Sequence, residues 1–327
     1  MKQRLMVILL LQSFVLWADV NGEIAKELHR HGGIATFDLT VTNELGEPIE
    51  GVVGNAGFWY FGKDSSAQDV SDEAGRLVLS NRASTDGRWA IEKDGFYPTR
   101  GYAYFEAPDA PFGFFERRRW KPVVQEVVLK TKRNPIPMYS KQYRGKLPAV
   151  NQSLGFDLKR VDWVSPYGKG EVADMLVTVV AEEEPYGQRT RLKVTEVLLE
   201  WPGKYNGAQI CDADIWSRFP SAYQVDICRP FVEQLVMPSR GSRYKWLDHQ
   251  KYLVFRVRSE VSATGKLSQC HYGKIYPSIN VTPEEFAINL IFFNPTPNDT
   301  NLEFDPKHNL SPFSCYQEET MLNRDRP

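Results

Sequence analysis

Ala35, Phe37, Leu39 and Val41 alternate with Thr36, Asp38, Thr40 and Thr42. A period of two sends successive side chains to opposite faces of an extended chain, so this stretch reads as a strand with one buried and one wet face. Turn signals and further alternating runs follow. Asn43-Glu44-Leu45-Gly46-Glu47-Pro48 supplies a turn, in which Gly46 permits a positive φ and Pro48 restarts an extended chain. Residues 49–61 read as a second, Gly-broken strand, and Asp72-Glu73-Ala74-Gly75 as a turn before Leu77 and Leu79 on one face. Trp89 and Ile91 alternate again, Gly95-Phe96-Tyr97 leads into Tyr102 and Tyr104, and Val123, Val127 and Leu129 end the series. Short strands at this spacing predict a β-sandwich over 32–132.

The two Pro of Asn134-Pro135-Ile136-Pro137-Met138-Tyr139 predict a stiff, extended connector, placed at 133–146. From residue 147 the pattern is strand-like again. Residues 173–181 and 191–199 are β-prone runs. Over 252–261 Leu253, Phe255 and Val257 face one way, and Arg256 and Arg258 the other. Further strands are expected at 272–279 and 288–293. Thr282-Pro283-Glu284-Glu285 has the outline of a capping box with Pro at the first helical position, which predicts one helical turn. The fold class is therefore mainly all-β: a sandwich, then a larger β-rich domain over 147–316 with few short helices, then a polar tail at 317–327.

A length of 327 residues suits two domains, and 42% hydrophobic residues suffice to build cores. Aromatics at 13%, with 23 Gly and 21 Pro, favour strands and turns over helices. A net charge of −1 gives no global field toward nucleic acid or anionic membrane, so neither is expected as a partner. Met1-Lys2-Gln3-Arg4 is a basic head, Leu5 to Leu11 an unbroken apolar run, and Val20-Asn21-Gly22 a cleavable stretch before Glu23. This is the layout of a secretory signal at 1–22, too short an apolar core for the ~20 residues of a permanent anchor. The expectation is an exported protein, periplasmic or extracellular, without a transmembrane anchor.

Four Cys lie in the second half, and an even number in an exported chain suggests disulfides. Of the three pairings, Cys211–Cys228 with Cys270–Cys315 is favoured, and buried free thiols are the alternative. No C-x-x-C pair exists and Cys270 adjoins His271, so no metal site is expected, and no cofactor.

Asp38-Leu39-Thr40-Val41-Thr42 with Glu44-Leu45-Gly46-Glu47-Pro48-Ile49-Glu50-Gly51-Val52, then Asp72-Glu73-Ala74-Gly75-Arg76-Leu77, then Lys93-Asp94-Gly95-Phe96-Tyr97, resembles the carboxypeptidase-regulatory-like domains. The resemblance implies a transthyretin-like, seven-stranded sandwich. Such domains are non-catalytic and serve as spacer, folding aid or binding surface beside another domain. The segment from Phe112 to Lys121 departs from that pattern. Over 134–312, Phe156-Asp157-Leu158, Asp162-Trp163-Val164-Ser165-Pro166-Tyr167-Gly168-Lys169-Gly170, Phe255-Arg256-Val257-Arg258, Tyr272-Gly273-Lys274-Ile275-Tyr276, and Phe293-Asn294-Pro295-Thr296-Pro297-Asn298-Asp299 through Asn301-Leu302-Glu303-Phe304-Asp305-Pro306 resemble a family of uncharacterised exported bacterial proteins. That likeness implies relatives but no activity.

The chain contains no G-x-S-x-G, H-E-x-x-H, P-loop or G-x-G-x-x-G. Phe114-Phe115 and Arg117-Arg118-Arg119-Trp120-Lys121 combine charge with rings, suited to an anionic polymer or glycan, or to a solvated edge that blocks aggregation. The candidate binding surface of the second domain combines Asp162, Trp163, Tyr167, Lys169, Arg256, Lys274, Tyr276, Asn301, Glu303 and Asp305. Rings stack on sugar faces, and acids bond hydroxyls or donate protons. The same residues also suit turns and strand-tying ion pairs. Two functions follow. One is a non-catalytic exported protein with an envelope role, structural or binding a partner protein or glycan. The other is an extracytoplasmic hydrolase of polysaccharide or peptide that uses the acidic and aromatic set.

Overall fold

A computed structural model of the chain describes residues 26–108, 118–212, 223–237, 245–246 and 251–311. The expected signal at 1–22, the Phe114-Phe115 pair with Arg117, Cys315 and the tail at 317–327 lie outside the described residues. Described residues up to Lys132 form one compact unit, and those from Arg133 onward a second.

The first unit has seven strands: β1 (Gly33–Thr42), β2 (Val53–Tyr60), β3 (Lys63–Val70), β4 (Arg76–Ala83), β5 (Asp86–Glu92), β6 (Thr99–Tyr104) and β7 (Val123–Val128). One sheet runs β4-β1-β7, the other β3-β2-β5-β6. The alternation in β1 buries Ala35, Phe37, Leu39 and Val41 completely, and its register sets Phe37 opposite Leu79 and Leu39 opposite Leu77. Ala56 and Phe58 of β2 and Trp89 and Ile91 of β5 are buried. The two layers meet at Phe37, whose ring lies 5.5 Å from Phe58 and 5.3 Å from Phe105. In the first turn Asn43 Oδ1 accepts from the N–H groups of Leu45 and Glu47, and Gly46 takes φ +80°. Gly75, at φ +74°, lies so close to β1 that a Cβ would meet the Val41 carbonyl at 2.3 Å.

The second unit contains β8 (Tyr139–Lys146), β9 (Ser153–Asp157), β10 (Asp162–Trp163), β11 (Met175–Tyr186), β12 (Arg189–Glu200), β13 (Gly207–Asp212), β14 (Gln234–Val236), β15 (Lys245–Trp246), β16 (Lys251–Val261), β17 (Leu267–Val281) and β18 (Glu285–Phe293). These build a five-stranded sheet, β10-β9-β11-β12-β14, and a six-stranded sheet, β13-β16-β17-β18-β8, with β15 also on β17. An aromatic cluster joins the sheets. Trp163 on β10 lies 5.1 Å from Phe156 on β9 and 5.0 Å from Phe286 on β18.

Three expectations are corrected. The stretch 133–146 is not a bare connector: β8 pairs with β18 as the edge of the six-stranded sheet, and Ile136 bridges to Phe304. The two Pro only precede the strand. Thr282 to Glu285 forms no helical turn. Pairing of Val281 with Phe286 closes a hairpin there, and the Thr282 hydroxyl accepts from Glu284 and Glu285 N–H across that hairpin turn. Cys211 and Cys228 are not bonded to each other, and Cys270 is a free thiol, buried with Tyr252, Val254, Tyr272 and Leu302. Arg229 reaches the Cys211 sulfur at 3.5 Å, and the Cys270 thiol donates to Asn298 Oδ1 at 3.6 Å. Extensive apolar cores hold both units.

Gly75→Ala should destabilise the protein by about 1–3 kcal/mol in urea unfolding, through a left-handed φ and a backbone clash. Gly46→Ala, whose φ is equally positive but whose surroundings are open, should cost less. Equal losses would contradict the close approach at Gly75.

Candidate functional site

The structure places the ten residues of the second unit at several points and gives most of them a structural partner. Asp162 closes its own loop, accepting Trp163 N–H at 2.8 Å and Lys169 N–H at 2.9 Å. Trp163 is buried in the aromatic core, and Tyr167, on the same loop, is exposed. Arg256 donates to the Tyr205 carbonyl and lies 4.2 Å from the Phe231 ring centre. Lys274 is buried with its ammonium 5.1 Å from the Phe292 ring centre. Tyr276 pairs through its backbone with Leu290.

Asn301 and Glu303 do come together. Asn301 Nδ2 donates to the Asn134 carbonyl at 2.8 Å, and its Oδ1 accepts Glu303 N–H at 2.8 Å. The buried Glu303 carboxylate accepts Arg133 N–H at 2.8 Å and Asn134 N–H at 2.6 Å. Asp305 caps the 3-10 turn Pro306–His308 and pairs with His308 at 2.6 Å. Its carboxyl lies below the ordinary value: burial pushes it up, but the bonds from His308 and from Lys307 N–H outweigh that. Two clefts in this unit, of about 560 and about 370 Å³, are lined by none of the ten. Among the described residues no group of three His, Cys, Asp or Glu is placed to hold a metal.

A cluster absent from the sequence-based expectations sits on the bulge of β16. Arg258, at φ +54°, donates through Nε and Nη2 to both oxygens of Asp174 at 2.8 Å, and through Nη2 to Asp157 at 3.0 Å. Asp157 also accepts the N–H groups of Lys159, Arg160, Glu171 and Val172, so one carboxylate ties both ends of the 157–172 loop. Burial pushes its carboxyl up, but those backbone donors and the Arg258 charge outweigh it and hold it below the usual range. At Asp174 burial wins over Arg258, and the carboxyl rises. The Arg258 guanidinium lies 5.0 Å from the Phe293 ring centre, and His271 stacks on the same ring at 5.4 Å. Burial lowers the His271 imidazole, and the charges of Arg258 and Lys159 add to this. The guanidinium and both carboxyl groups of the triad have hydrogen-bond partners, which makes it a fixture for loops.

The first unit carries a different kind of surface. Pairing through β3-β2-β5-β6 aligns Ser66, Gly57, Arg88 and Tyr102 in one outward row, and Gln68 with Asn55 in another. Two residues along their strands from Gly57 and Tyr102 stand Trp59 and Tyr104. Trp59, Tyr102 and Tyr104 are 45%, 43% and 71% exposed. The two tyrosine rings meet edge to face at 5.1 Å. Burial, then the bond with Tyr104 and the charge of nearby Asp86, raise the Tyr102 phenol, so Tyr102 remains a neutral donor at physiological pH. Gly57 keeps the middle of the face low. Exposed Asn55, Gln68 and Arg88 add planar amide and guanidinium groups. Rings able to stack and planar groups able to bond hydroxyls thus share one exposed sheet face.

No family model matches the chain, and no curated protein matches it.

Arg258→Met would strand two buried carboxylates and should cost about 3–5 kcal/mol in urea unfolding. Arg76→Met, which breaks the exposed bidentate pair with Asp38, should change stability little. Similar effects would show that the triad is not buried as described. His271, with a lowered folded pKa, favours folding fully above its ordinary value of 6.5 and loses that contribution as pH falls through the folded value. Melting temperatures compared at pH 7 and 5 should therefore fall less in His271→Phe than in the parent. An equal fall would contradict this.

Proposed function

We propose that this chain is an exported, non-catalytic β-protein that binds a glycan on the outward face of the β3-β2-β5-β6 sheet. The observation that carries the reading is the set Trp59, Tyr102 and Tyr104, exposed around Gly57 on one flat sheet face. Leaving three large rings in water forgoes burial, which a soluble domain tolerates where the rings serve recognition. The resemblance to carboxypeptidase-regulatory-like domains supports a binding surface without chemistry. Export is supported by the basic head, apolar run and cleavable stretch of the first 22 residues. A hydrolase draws no support from Asp162, Glu303 and Asp305, whose oxygens accept backbone N–H groups and hold loops.

Affinity electrophoresis of the purified protein through gels containing soluble polysaccharides should show retardation by at least one polymer. Trp59→Ala and Tyr104→Ala should each weaken it about tenfold, roughly 1.4 kcal/mol per ring, with unchanged melting temperature. Unaltered retardation in the double variant would refute the assignment, as would a protein partner captured through the same face with no polymer bound.

A further inference from the structure

We infer that the platform is built for an acidic glycan, with Arg88 as the group that takes a uronate carboxylate. This rests on the glycan reading and narrows it.

Arg88 sits at the centre of the face. In register it lies between Gly57 on β2 and Tyr102 on β6. Its stem runs beside the glycine: a Cβ built on Gly57 would find Arg88 Cγ at 3.9 Å and nothing nearer. The side chain is exposed, and among the described residues its guanidinium has no hydrogen-bond or ion-pair partner. The other arginines differ. Arg100, on β6 two residues from Tyr102, has a partner of its own. On β4, in the other sheet, Arg76 is held by both oxygens of Asp38 at 2.9 and 2.8 Å, and Arg82 donates to the Tyr60 hydroxyl at 3.2 Å. Arg88 is thus the cation left open in the middle of a ring-lined face.

The geometry favours a carboxylate over a denser anion. Arg88 stands directly beside Tyr102 in register, within reach of the edge of a sugar stacked on that ring. A carboxylate on that edge lies near the ring plane, where the planar guanidinium fork meets it with two parallel bonds. The face also carries Asp86 beside the tyrosines and Glu92 at the far end of β5. These carboxylates repel a polymer with several charges on each sugar, and tolerate one with a single charge per ring.

The test measures affinity for polygalacturonate, alginate, methyl-esterified pectin, hydroxyethylcellulose and dextran sulfate. The parent should bind at least one of the two uronates at least tenfold more tightly than the ester or the neutral polymer. Arg88→Gln should lose about tenfold on that uronate, a bidentate pair's share, and leave the ester unaffected. Arg88→Lys should recover only part of the loss. Raising NaCl from about 50 to about 500 mM should weaken the parent on that uronate more than it weakens the Gln variant. Equal binding of acid and ester forms, or dextran sulfate binding as well as the uronates, would overturn the inference and leave the glycan reading standing. Failure of the parent to bind any of the five would overturn both.

Discussion

Phe58 and Trp59 are chain neighbours, yet one packs against Phe37 and the other stands in solvent. That opposition is enforced by the pleat: once β2 and β5 commit Ala56, Phe58, Trp89 and Ile91 to the core, the intervening residues must form the outer face. A slip of one residue would bury Trp59 and Arg88 and expose Phe58 and Trp89, at the cost of the whole inner layer. The inner packing therefore holds the platform in register. The rings sit on strands, so their spacing is set by the sheet and little ordering remains for a ligand to impose.

The second unit spends its acids differently. Glu303 takes the backbone N–H groups of the distant Arg133 and Asn134, Asp157 those at both ends of its own loop, and Asp174 is bonded bidentately by Arg258. Buried ions are costly unless every lone pair finds a donor, and here the donors are loop amides that would otherwise lack partners. The charges thereby fix the 157–172 loop and the 133–134 entry strap. A buried carboxylate held by backbone amides or by a guanidinium is well suited to architecture and poorly suited to moving a proton.

How much of this was legible before any coordinates follows from the range of each interaction. β1 could be read because its alternation is local and complete. β3 could not: Lys-Asp-Ser-Ser-Ala-Gln-Asp-Val has no apolar period, and it is a strand because β2 pairs with it from end to end. Its polarity suits an edge. β8 was obscured by the Pro pair just before it. The acids Asp162, Glu303 and Asp305 drew attention by type, but their partners are set by folding. Arg258 meets Asp157 from 101 positions away, and no spacing rule reports that. The aromatic face did leave a local trace. Tyr102 and Tyr104 share parity on one strand, and Trp59 follows a core Phe, so both point outward once the inner row is assigned.

Hydroxyl-radical footprinting of the aromatic side chains, with and without saturating polygalacturonate or alginate, locates the binding face. Ligand should protect Trp59, Tyr102 and Tyr104 and leave exposed Tyr167 and Tyr186 of the second unit unchanged. Protection at Tyr167 with none on the first unit, or protection at no aromatic under conditions of demonstrated binding, would contradict that placement.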